Sequence, residues 1–162
     1  MFTPATANSL GLGNHPIRAR VIARGASFNR GDVVQFDLAQ TNSATTNNLV
    51  GSDASGLVNV ITPTTSGVQS GILAVCTQDI SQNQRGYVVL RDVIEAFVIK
   101  SAGSIAVGDR LVAINASSDL DGTDAAGERW TAIAFEAATT PSTHIRKLVA
   151  FDGINGFGTK TS

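Results

Sequence analysis

Residues 101–114 read SAGSIAVGDRLVAI and residues 28–36 read FNRGDVVQF. Aligned on Gly-Asp, Ser27 falls against Ser104, Phe28 against Ile105, Gly31 against Gly108 and Val34 against Leu111. The shared pattern is an apolar residue, two variable ones, Gly-Asp, and then an extended run. Glycine supplies a positive φ at no steric cost and aspartate hydrogen-bonds nearby backbone, so the pattern predicts a tight turn leading into a strand. Arg30, Gly31 and Asp32 also spell the tripeptide that adhesion receptors recognise. Val107 stands where Arg30 does, so the arginine is the part the shared pattern does not need. The turn accounts for the motif.

From these turns the strand reading extends both ways. GDVVQFDLA (31–39) alternates Val34, Phe36 and Leu38 on one face, the period of a half-buried strand. HPIRARVIAR (15–24) starts at a proline and reads as a strand, as does LVNVITP (57–63), stopped by Pro63. GILAVCTQ (71–78), GYVVLRDVIEAFVIK (86–100) and GDRLVAIN (108–115) are the most apolar runs. The β-branched content of 86–100 favours strand over helix, with a bend expected near Arg91-Asp92. ERWTAIAFEAA (128–138) and HIRKLVAFDG (144–153) supply the last two. Some eight short strands with frequent turns predict an all-β fold, a single compact β-sandwich or β-barrel. Residues 15–153 form that domain, with a mobile loop at 40–56. Residues 1–14 read as an extended N-terminal arm, and 154–162 as a Gly-rich, open-ended tail.

The 162 residues carry a net charge of −1 and only 15% charged residues, against roughly 25% in an average soluble domain. With no basic surplus and no acidic block, nucleic acid and anionic membranes are not expected partners. Sixteen glycines against three lysines and three glutamates favour turns and strands. The single cysteine, Cys76, excludes an intrachain disulfide and reads as a small buried hydrophobe. The N-terminal residues lack the basic and apolar regions of a signal peptide, and nothing has the length of a membrane helix. A soluble protein made in a reducing cytoplasm is the expectation.

Candidate chemistry is sparse. Asp119, Asp121, Asp124 and Glu128 cluster in a glycine-containing loop, but Gly122 comes too early for an EF-hand and the twelfth-position glutamate is absent. The serine of GVQSG (67–71) is one place off the nucleophile-elbow spacing, and neither His15 nor His144 has a positioned partner. The Gly11-Leu12-Gly13 stretch and Gly153, Gly156 and Gly158 open no helix that could hold a phosphate. Trp130, Tyr87 and the phenylalanines read as core or interface. No catalytic residue, metal or cofactor is expected.

The order of features resembles small bacteriophage capsid decoration (cement) proteins. The resemblance runs over roughly residues 18–115, through 71–76, the polar turn 82–86, the Val-rich 87–90, and Ala102-Gly103 through Gly108-Asp109 to Leu111. It implies a non-enzymatic virion protein, synthesised in the host cytoplasm and bound to the capsid exterior. Its partners would be the major capsid protein and other copies of itself, as a trimer. The expected interface residues are the isolated apolar points of arm and tail: Phe2, Leu10, Leu12, Ile154 and Phe157. A carbohydrate-binding or fibre-tip module is the competing reading, and the 6% aromatic content gives sugars little to stack on.

Overall fold

In the computed structural model, residues 16–38, 57–64, 71–100, 103–122, 125–139 and 144–161 are described. They form β1 (Ile17–Ala23), β2 (Val33–Asp37), β3 (Val58–Ile61), β4 (Leu73–Cys76), β5 (Arg85–Ile99), β6 (Arg110–Ala113), β7 (Leu120–Asp121), β8 (Ala132–Ala134) and β9 (Ile145–Asp152). The fold is all-β, as the turn and strand pattern predicts, and its sheet closes into a five-stranded barrel with further strands.

The pairings close twice. β1 pairs β3, β3 pairs β2, β2 pairs β4, β4 pairs β5, and β5 returns to β1. Beyond it, β5 pairs β7, β7 pairs β6, β6 pairs β8, β8 pairs β9, and β9 returns to β5. Each ring has one parallel pairing, β1–β3 or β5–β7, and is otherwise antiparallel. The registers correspond as well: Val34 faces Ala74 as Leu111 faces Ala132, and Ala23 faces Val60 as Val98 faces Leu120. The chain therefore folds the same five-stranded unit twice, and the long β5 serves both copies.

The two Gly-Asp turns hold equivalent places in these units. Gly31 and Gly108 have φ of 96° and 92°. The Asp32 carboxylate accepts the Asn29 N–H at 2.7 Å, and the Asp109 carboxylate accepts the Ala106 N–H at 2.9 Å. Phe28 bridges Ile80, and Ile105 bridges Ala138. Each bridge continues the antiparallel register of its strand pair, β2–β4 or β6–β8, back beyond the turn.

Strand alternation divides the interior into two cores. One gathers Val21, Ala23, Val34, Phe36, Val60, Ala74, Cys76, Val88 and Leu90 inside the first ring. The other gathers Ala96, Val98, Leu111, Ala113, Leu120, Ala132, Val149 and Phe151 inside the second. Val33, Leu73 and Val75, on the outer side of β2 and β4, pack into the second core, so the rings form one body. Each fully buried aliphatic side chain contributes about 1.5–3 kcal/mol relative to exposure. The bend expected at Arg91-Asp92 takes the form of a change of partners. Arg91 faces Ile17 of β1 and Asp152 of β9, and β5 runs on unbroken.

Three expectations are revised. The segment 119–128 holds a strand, β7, because Leu120 is drawn into the second core. The strand expected over 128–138 shortens to Ala132–Ala134, since its flanks turn to meet other partners. The tail is hydrogen-bonded rather than open-ended: Phe157 and Lys160 donate to Trp130 and Glu128 carbonyls, and Trp130 donates to Gly158. The proposed arm 1–14 and loop 40–56 lie outside the described residues.

Candidate docking surface

The Arg-Gly-Asp turn is not displayed as an adhesion loop. Asp32 is only 7% exposed, and its carboxylate faces inward to brace the turn. Burial raises its pKa from the ordinary carboxylate value, and the Asn29 N–H pulls the other way. The Arg30 N–H donates to Asp79 at 2.8 Å, while its guanidinium pairs with Glu95 on β5 at 3.0 Å. Both partners of that pair are about half exposed, so it contributes at most about 1 kcal/mol.

The acidic segment is likewise spent on its own backbone and neighbours. Asp119 accepts the Ser117 hydroxyl at 2.6 Å, and its other oxygen lies 3.4 Å from His144 Nδ1. His144 stacks on Phe97, with centroids 4.7 Å apart. Asp121 lies in β7, and Glu128 accepts the Ala125 N–H. Asp124, like His15, is outside the described residues. No group of three metal-ligating side chains is gathered among the described residues.

Of the expected interface residues, Phe2, Leu10 and Leu12 are outside the described residues. Ile154 is half-buried and packs against the first core, so it anchors the tail to the body. Phe157 is 36% exposed at the rim of a cleft of about 350 Å³ that Arg91, Asp92, Asp152 and Asn155 also line. Asp152 organises that cleft. It pairs with Arg91 at 2.9 Å through one oxygen and accepts the Ile154 and Asn155 N–H groups through the other.

Arg129 carries no signal in the sequence pattern. Its side chain is buried and donates to the carbonyls of Ile154 at 3.0 Å and Gly71 at 2.8 Å. The guanidinium thus fastens the tail to the entry of β4. Desolvation lowers its pKa and nearby Asp152 opposes the shift; an arginine stays charged all the same. Next to it, Trp130 lies under the Arg110 guanidinium, 4.0 Å from ring centroid to charge.

What the body presents outward is aliphatic and aromatic at scattered points: Ile17, Leu38, Tyr87, Val107, Phe135 and Ile145. Every strand of both rings has a neighbour on each side, so the described body offers a partner faces and turns instead of an open sheet edge. Among the described residues no helix is long and apolar enough to cross a membrane. No protein-family model matches the chain, and no curated protein is found as a relative. The class of protein rests on the fold: an all-β body made of two five-stranded rings with one strand in common.

Proposed function

We propose that the chain is a structural virion protein, a capsid decoration protein that binds the outer surface of a phage head and stabilises the lattice of the major capsid protein. It acts as a homo-oligomer, a trimer by the family resemblance. The observation that carries this reading is the use to which the polar groups are put. Buried Arg129, Asp32 and Asp152 are all committed to holding turns and tail in place. Large apolar side chains meanwhile stand exposed on strands and turns of both rings. A lattice clamp needs such a body: rigid, with its sheet edges closed against open-ended association, and with apolar anchors on its faces.

The test is co-sedimentation with expanded capsids assembled from the major capsid protein of the same genome. Saturable binding together with a raised capsid melting temperature is the expected result, because a ligand specific to the assembled lattice stabilises it. Absence of binding at saturating protein concentration would overturn the reading.

A further inference from the structure

We propose that the outward face of the β1–β5 ribbon is a docking site for an extended acidic segment of a partner protein. This deepens the decoration reading, on which it rests for the partner's identity, by naming the chemistry through which one face of the body attaches.

On β1, Ala19, Val21 and Ala23 turn toward the first core, which leaves Arg18 and Arg20 on the outer face, both exposed. On β5, Val88 and Leu90 turn inward, so Tyr87 stands outside and is 50% exposed. The antiparallel register sets Arg20 directly opposite Tyr87 and Arg18 opposite Val89. Arg18 and Tyr87 then line one open cleft of about 390 Å³ with Thr77 and Gln78. The Thr77 hydroxyl is occupied, donating to the Tyr87 carbonyl.

Several other cations of the body have local partners. Arg30 pairs with Glu95, Arg91 with Asp152, Lys100 lies 3.8 Å from Asp109, and Arg129 is spent on carbonyls. Arg18 and Arg20 have neither an ion pair nor a hydrogen bond to a described residue. In a chain of net charge −1, two unpaired guanidinium groups beside an exposed phenol form a local positive site. Asp79, the carboxylate nearest in sequence to the cleft, is engaged with the Arg30 N–H.

Spacing selects the occupant. Alternate residues of a strand stand about 6.6–6.8 Å apart, so Arg18 and Arg20 match carboxylates on alternate residues of an extended partner segment. Tyr87 adds apolar area with a polar tip beside Arg20. β1 and β5 already have neighbours on both sides here, so the segment lies across the face and is held by side chains. Two free arginines are too few to track a phosphate backbone, which favours protein over nucleic acid.

The probe is a short fluorescent peptide alternating Glu and Thr, compared with a Lys-Thr peptide and an oligothymidine of equal length, by anisotropy on the full chain. The Glu-Thr peptide should bind saturably and weaken with salt. Arg18→Glu with Arg20→Glu should lower its affinity by roughly tenfold or more at unchanged melting temperature, and Tyr87→Ala should lower it further. Failure to bind the acidic peptide, equal binding of both peptides, preference for oligothymidine, or indifference to the charge reversal would each overturn the site. Capsid co-sedimentation separates this from the decoration reading. If wild type and charge-reversed protein occupy capsids equally, the site is wrong and decoration stands. If wild type ignores capsids yet keeps charge-sensitive peptide binding, the site stands and decoration is wrong.

Discussion

Gly31 and Gly108 occupy the same position in the two rings. Each adopts a positive φ, and each donates its N–H to the neighbouring strand, Gly31 to Cys76 of β4 at 2.9 Å and Gly108 to Ala134 of β8 at 2.8 Å. An added Cβ at Gly108 meets nothing within 4 Å, so its requirement is conformational alone. Gly31 also abuts the Arg146 and Phe97 side chains. Gly153 differs again: a Cβ there would collide with the Leu73 carbonyl, which belongs to backbone that cannot yield.

Three severities follow for glycine replacement. Gly108→Val should destabilise by about 1–3 kcal/mol, the cost of holding a side chain in a sparsely populated backbone region. Gly31→Val should cost more, since Arg146 must move as well. Gly153→Ala should be the worst, despite adding only a methyl group, because the backbone just past β9 would have to part from Leu73 of β4. Urea denaturation of the three variants checks the order; a Gly153→Ala protein as stable as wild type would contradict the close approach.

Asp32 has a different signature, in pH. Its folded-state pKa is raised from 3.8, so the folded protein holds that proton more tightly than the unfolded chain. Stability therefore falls as pH rises from about 3.8 through the folded pKa, and the penalty is fully present above it. Asp32→Asn cannot titrate and keeps an oxygen for the Asn29 N–H. Its stability relative to wild type should rise with pH across that window and be flat above. Paired denaturation curves across the acid range measure this, and a difference that falls with pH would reverse the assignment. Arg30→Ala, by contrast, should change stability by no more than about 0.5 kcal/mol.

How far the sequence was legible depends on the range of the interaction. The Gly-Asp turns are local, set by Gly31-Asp32 and Gly108-Asp109 with their i−3 hydrogen bonds, and both were readable. The shared pattern of 28–36 and 101–114 covers one turn and one strand of each ring, whereas the duplication of the whole ring shows only in how β3 and β7 pair. β7 was missed because two residues carry no period, and Leu120 is held there by the second core. Arg129 was missed because its partners, Gly71 and Ile154, are distant in sequence and are carbonyls, which every residue has. Arg18 and Arg20 were visible as a strand's polar face, but their opposition to Tyr87 is a matter of register.

The tail depends on Asp152. Replacing it with alanine removes the Arg91 ion pair, the acceptor of two backbone N–H groups, and the negative charge nearest to buried Arg129. Asp152 is 8% exposed, so the loss should fall at about 3 kcal/mol, between a charge-assisted hydrogen bond and a broken buried pair. Asp152→Asn retains one acceptor and should lose less. Hydrogen exchange should show Phe157 and Lys160 deprotected in the alanine variant while β5 amides near Val88 stay slow. Uniform deprotection would mean that the tail is part of the global unit.

Cys76 reports on the first ring. It is fully buried in that core, and burial pushes its thiol well above the ordinary range. Native protein should therefore resist thiol reagents at neutral pH, and reaction should track unfolding of the ring. Cys76→Ser puts a hydroxyl among Val21, Val34, Val60 and Val88. It should cost about 1–3 kcal/mol, whereas Cys76→Ala should be milder. Rapid labelling of the folded protein would show that the ring opens readily.

The proposed arm offers a test of the proposed clamp. Phe2, Leu10 and Leu12 are too sparse to form a core of their own, yet each is an apolar point on a polar stretch. Burying such side chains contributes roughly 1.5–3 kcal/mol each, offset by the entropy of ordering the segment. The balance favours attachment only where a partner surface receives them. β1 begins at Ile17, so removing residues 1–13 leaves both rings complete. The truncated protein should keep its melting temperature and lose capsid affinity strongly, whereas the same deletion in a sugar-binding module would leave ligand affinity untouched. Full occupancy of capsids by the truncated protein at unchanged affinity would take the arm out of the mechanism and leave attachment to the paired rings and their outer faces.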